Sequence, residues 1–137
     1  MFFLTIITIT LLIIIGLMHL YWVLGGTKGL DKALPTKDGV RLLNPPKALT
    51  FLVAIVLWGF SYVAFSLYFD TAHTKSMVYM GWMISAIFFL RAIGEFNAVG
   101  FFKKIKNTPF AVYDTKYFSP LTLFWSIIFA LLSIQKI

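Results

Sequence analysis

Residues 2–24 read FFLTIITITLLIIIGLMHLYWVL, twenty-three positions without a formal charge. A bilayer core of about 30 Å is crossed by roughly 20 apolar residues in a helix, so this stretch by itself predicts a transmembrane span. Working outward, Ala48 to Phe69 is also free of charge. Leu121 to Ile134 is shorter, and Tyr117, Phe118 and Ser119-Pro120 extend it back to the interface. A further stretch begins near Met77 and stays uncharged only to Leu90. Those positions cover about 21 Å at 1.5 Å per residue, which is short of a crossing. A span of ordinary length there takes in Arg91 and Glu95. The prediction is an all-α, four-helix transmembrane bundle, with spans at 2–24, 47–69, 76–98 and 119–135 in a single domain over 1–137.

Composition supports this class. The 137 residues are 60% hydrophobic and 12% charged, with no cysteine, whereas soluble domains are roughly 45–50% apolar and about 25% charged. A soluble globular domain, a disordered chain and a disulfide scaffold are excluded. Gly25-Gly26 with Gly29 follows the first span, as glycine follows a helix C-terminus. Asn44-Pro45-Pro46 reads as an N-cap with prolines in the first turn of the second span, and Ser119-Pro120 repeats that pattern at the fourth. The first segment does not resemble a cleavable signal. It has no Lys or Arg before Lys28, its apolar run exceeds the usual 7–15 or so residues, and no A-x-A site follows.

Lys and Arg counts set the expected orientation. Lys28, Lys32, Lys37, Arg41 and Lys47 fall between spans one and two, and Lys103, Lys104, Lys106 and Lys116 between spans three and four. The other side holds Lys75 and Lys136. Both termini are therefore expected outside, with two basic cytoplasmic loops. The net charge of +7 is accounted for by topology and by contact with anionic lipid heads. Membrane lipids are the expected partner, and nucleic acid is not.

This topology brings the polar residues of the spans to one level. Spans one and three both run inward, so His19 and Trp22 reach the cytoplasmic leaflet together with Arg91, Glu95 and Asn97. Ionisable groups inside a membrane are costly and usually pair or line a cavity. Arg91 and Glu95, at i and i+4, would share a helix face, although the cation-first order is the weaker one. Small and hydroxyl residues mark the expected seams. These are Thr5, Thr8, Leu12, Gly16 and His19 on the first span, and Gly59, Tyr62 and Ser66 on the second. The third presents Gly81, Ser85, Ala92 and Glu95, and the fourth Ser119, Thr122, Ser126 and Ser133. Phe101, Phe102, Lys103 and Lys104 alternate anchors and charges and are expected at lipid heads. Asp114 either caps a turn with Thr115 or folds back toward Arg91.

Several chemistries have no basis here. There is no thiol, and His19 and His73 are expected on opposite sides, so neither a metal nor a cofactor is expected. Gly25-Gly-Thr-Lys-Gly29 is no Walker A loop, and there is no G-x-S-x-G motif. Acid–base chemistry by His19 and Glu95 remains, with Arg91 as an anion clamp.

The segments His19-Leu-Tyr-Trp22-Val-Leu-Gly25-Gly26, Arg91-Ala-Ile-Gly94-Glu95-Phe-Asn97-Ala-Val-Gly100-Phe101-Phe102-Lys103, and Asp114-Thr115 with Ser119-Pro120-Leu121 resemble one family. It consists of small four-helix bacterial integral membrane proteins catalogued only as a domain of unknown function. The resemblance covers nearly the whole chain. It implies a multi-pass protein of the bacterial inner membrane and carries no activity with it.

Three functions stay open. One is binding or translocation of an anionic or amphipathic small molecule or lipid at His19, Trp22, Arg91, Glu95 and Asn97. Translocation would favour a homodimer, since four spans rarely enclose a pathway. Another is a structural or accessory subunit. The last is a membrane-embedded enzyme using His19 and Glu95 on a lipid or isoprenoid.

Overall fold

The apolar runs fold as helices whose ends are set by glycine, proline and threonine. The computed structural model describes residues 1–42, 44–72 and 74–136. Its elements are α1 (Phe2–Val23), α2 (Leu30–Ala33), the two-residue strands β1 (Thr36–Lys37) and β2 (Val40–Arg41), α3 (Lys47–Phe69), α4 (Lys75–Ile93), α5 (Pro109–Tyr113), a π-helical turn (Asp114–Phe118) and α6 (Ser119–Ile134). β1 and β2 form a small antiparallel hairpin. Four helices, Phe2–Val23, Lys47–Phe69, Lys75–Ile93 and the continuous Pro109–Ile134, are long and apolar enough to cross a membrane. The chain is a multi-pass membrane protein.

The first helix ends in a Schellman motif. Gly25 has φ +102°, its N–H donates to the Trp22 carbonyl at 3.2 Å, and Gly26 N–H donates to the Tyr21 carbonyl at 3.0 Å. Glycine is the residue that adopts this conformation without a Cβ penalty. Two expected N-caps move. Asn44 lies before the cap position of α3, which Pro46 takes with extended φ/ψ. Ser119 sits inside a continuous helix and is buried. The start of that helix is Thr108-Pro109, where Thr108 Oγ1 accepts the Ala111 N–H at 3.1 Å.

The third span is shorter than the 76–98 expected. Gly94, at φ +83°, ends α4, and residues 94–100 turn back over the helix end. Phe101 N–H donates to the Ala92 carbonyl at 2.8 Å. Added Cβ atoms at Gly94 and Gly100 would collide with the Val99 and Ile93 carbonyls. The close approach of these two backbones is thus open only to glycine at both positions.

The long helices pack as two antiparallel pairs, α1 with α3 and α4 with α6, joined more sparsely through α3–α4, α3–α6 and α1–α6. Leu12, Leu57, Leu67, Ile84, Phe88, Trp125, Phe129 and Leu132 form the shared core. The buried residues of α1 are Thr5, Thr8, Leu12 and Gly16, four of the five positions of the stripe read from its sequence, and the fifth, His19, is half-buried. On α4 and α6, Gly81, Ser85, Ala92, Ser119, Thr122, Ser126 and Ser133 are likewise buried. There Ser85 Oγ donates to the Ser126 carbonyl at 2.7 Å, and Ser126 Oγ donates to the Ser85 carbonyl at 2.8 Å. The expectation for the second span fails in part. Ser66 is buried, but Gly59 and Tyr62 face outward, because α3 meets α1 through Trp58. The Trp58 indole lies over Gly16 and donates to the Ile13 carbonyl at 3.3 Å.

The two basic loops lie at one end of the bundle, where α2 packs on α5. At the other end, Lys136 Nζ donates to the Asp70 carbonyl at 3.2 Å.

Candidate functional site

The loop after α4 and the π-helical turn before α6 converge on one carboxylate. Asp114 is fully buried, and its Oδ1 accepts from Arg91 Nη2 at 2.8 Å. Its Oδ2 accepts the Gly100 N–H at 2.8 Å and lies 3.2 Å from Lys103 Nζ. Lys103 also donates to the Gly100 carbonyl at 2.9 Å and to Thr115 Oγ1. A carboxylate removed from water survives when cations and N–H groups replace its hydration. Both of its oxygens are satisfied here. Of the two expectations for Asp114, the fold back toward Arg91 is the one found.

Two corrections follow for residues placed at this level. Glu95 does not share a helix face with Arg91, because α4 has already ended at Gly94. Its Oε1 instead accepts the N–H groups of Ala98 and Val99, the latter at 3.0 Å, holding the turn of its own loop. Asn97 is exposed, and its carbonyl accepts the N–H groups of Lys104 and Ile105 at 2.8 Å. The expected lipid-head group also divides. Phe101, Phe102 and Lys104 are exposed, while the Lys103 side chain is only 1% exposed because it turns inward onto Asp114.

The remaining expected residues, His19, Trp22 and Arg91, line one cavity of ≈ 770 Å³ at the basic end, between the two helix pairs. The size is within the 300–1,000 Å³ or so of ordinary ligand pockets. His19 Nδ1 lies 2.7 Å from the Ile15 carbonyl, and its ring stands edge-on to Trp22 with centroids 5.1 Å apart. Trp22 Nε1 donates to the Lys28 carbonyl at 2.9 Å, which ties α1 to the segment that carries α2. From that segment Lys32 lies over the Tyr113 ring at 5.0 Å, a cation–π contact bridging the two basic loops.

Sequence reading missed much of this lining. Lys32, Arg41 and Lys47 join Arg91 as cations, and the apolar wall includes Ile15, Val53, Leu57, Phe88, Leu121 and Trp125. Among the described lining residues there is no Asp or Glu. Glu95 and Asn97 do not line it. By sequence the charges of the first loop are topology determinants and lipid-head contacts, and nothing in their spacing signals that the loop folds over the helix ends. A basic rim above an apolar interior can hold a molecule with an anionic head and a hydrocarbon body.

The cavity is bounded by residues from all four long helices, and almost all of the chain that builds it is matched by one family, described as Protein of unknown function (DUF3995), over residues 12–129. No curated protein and no solved structure matches the chain.

Proposed function

The chain belongs to the DUF3995 family, and we propose that it binds an anionic amphiphile, a lipid or a lipid-like small molecule, at the cytoplasmic leaflet of a bacterial inner membrane. The observation that carries this reading is the charge pattern of the cavity. Arg91, Lys32, Arg41 and Lys47 line it, and no carboxylate stands among its described lining residues. Arg91 is the anchor in this reading. Its side chain is 31% exposed and its Nη2 is fixed by Asp114, so its direction is set before a ligand arrives. Preorganised guanidinium groups bind phosphate and carboxylate at lower entropic cost than free ones. Nine Lys and Arg residues at that end, against Lys75 and Lys136 at the other, support the cytoplasmic side under the positive-inside rule.

The same geometry speaks less well for acid–base catalysis, since Glu95 is engaged by its own loop and does not reach the cavity of His19. The reading is tested with the full chain in a neutral maltoside detergent, by thermal unfolding against dioctanoyl phosphatidylglycerol and dioctanoyl phosphatidylcholine. Phosphatidylglycerol is expected to raise the melting temperature, phosphatidylcholine to leave it unchanged, and Arg91→Gln to weaken the response. Equal responses to the two lipids, or none to either, overturn it.

A further inference from the structure

Resting on that reading, we infer that the depth of the cavity selects its ligand by chain length, admitting an anionic head on a hydrocarbon chain of about twelve carbons or fewer. The depth can be measured along two helices. On α3 the lining face runs Lys47, Thr50, Val53, Leu57, and the ten residues from the cation to the last apolar side chain rise about 15 Å. On the other side the Arg91 guanidinium is held at the level of Asp114. Asp114 precedes Trp125, the deepest lining residue of α6, by eleven positions, again roughly 15 Å along the helix.

Below Leu57 and Trp125 the bundle closes. The Phe88 ring lies 5.0 Å from Trp125, 6.1 Å from Phe129 and 5.6 Å from Phe60, centroid to centroid, so rings from α3, α4 and α6 meet across the interior. On α1, Leu12 lies one turn below the lining residue Ile15 and is fully buried in the same core. At that level the Trp58 indole over Gly16 fills the seam between α1 and α3. The cations thus stand at one end of the cavity and a packed floor at the other.

An extended chain advances about 1.25 Å per carbon, from bonds of about 1.5 Å meeting at about 111°, so about twelve carbons span the distance from the cations to the floor. Each CH₂ up to that point leaves water for an apolar wall and tightens binding about fourfold. A further carbon has to push into a close-packed core or fold the chain back and give up rotational freedom. The class selected is therefore a medium-chain phosphate or carboxylate, rather than the longer-chained phospholipids that form a bilayer.

The test is equilibrium dialysis of the full chain in phosphatidylcholine nanodiscs, with empty discs as the blank. The probes are n-alkyl phosphates of six to sixteen carbons, and Kd is referred to their free aqueous concentration. Affinity is expected to rise about fourfold per carbon up to about twelve carbons, and by less than about twofold per carbon beyond. Val53→Phe sets a ring one turn above Leu57, about 6 Å nearer the cations, and should move the break to chains about four or five carbons shorter. A constant gain up to sixteen carbons overturns the length selection while leaving the cavity reading intact, and so does a break that Val53→Phe leaves unmoved. No binding above the empty discs at any length overturns the reading beneath it. If Val53→Phe does not fold, the length series on the unmodified chain still decides.

Discussion

Arg91, in the last turn of α4, meets Asp114, in the π-helical turn before α6, at 2.8 Å. This contact joins the ends of the two helices that also share the Ser85–Ser126 seam. Asp114 is held from the other side by Lys103, so its removal strands two cations, one of them almost entirely buried. Asp114→Asn is expected to cost about 3 kcal/mol, in the range for breaking a buried pair from one side. Arg91→Gln should cost less, because Lys103 and the Gly100 N–H remain on the carboxylate and Arg91 is partly exposed. Unfolding in detergent measures both. Equal losses, or an unaffected Asp114→Asn, would remove Asp114 from its central place.

The turn that brings Lys103 to Asp114 depends on two glycines. Gly94 and Gly100 have φ of +83° and +90°, and each would drive a Cβ into a neighbouring carbonyl. Gly94→Ala and Gly100→Ala are each expected to destabilise by about 1–3 kcal/mol through backbone strain and overpacking. Faster protease cleavage within residues 94–106 should accompany the loss. Gly59→Ala, at an exposed position with open space around it, is the control, and a loss there as large as at Gly94 would defeat the argument.

The contrast between what could and could not be read from the chain follows the range of the interactions. The spans were legible because an uncharged run of about 20 residues has one solution in a bilayer. The α1 stripe of Thr5, Thr8, Leu12 and Gly16 was legible because it is periodic. Span length alone carries the third helix past Glu95, whereas Gly94, at positive φ, stops it two residues after Ala92. Lys103 and Lys104 are adjacent and identical in type, yet one is buried and the other exposed. What separates them is Asp114, eleven positions further on, and no local pattern carries that pairing. The cavity was illegible for a similar reason, since it is made where two helix pairs fail to close on each other.

The Ser85–Ser126 exchange is a buried polar contact across the seam between α4 and α6. Interhelical hydrogen bonds in membranes average about 0.6 kcal/mol. Ser85→Ala and Ser126→Ala are each expected to lose about that much, with the double variant losing less than the sum because the two hydroxyls also lie 3.3 Å from each other, a contact that either substitution removes. A double-mutant cycle in detergent reads the coupling directly, and strict additivity would show that the two hydroxyls act independently.

The side of the membrane proposed from charge is open to direct labelling. The chain contains no cysteine, so a single introduced thiol has no background. Lys104 and Lys75 are both exposed and lie at opposite ends of the bundle. If the nine loop cations set the orientation, Lys75→Cys should react with a membrane-impermeant maleimide in intact cells. Lys104→Cys should react only after the membrane is opened. The converse pattern would invert the protein and place the cavity in the outer leaflet. There the basic rim could no longer draw on the negative potential of the cytoplasmic surface, worth about 1 kcal/mol per Lys or Arg. The proposed ligand would then have to be an anion supplied from outside the cell, so the labelling result also fixes the side from which the cavity is filled.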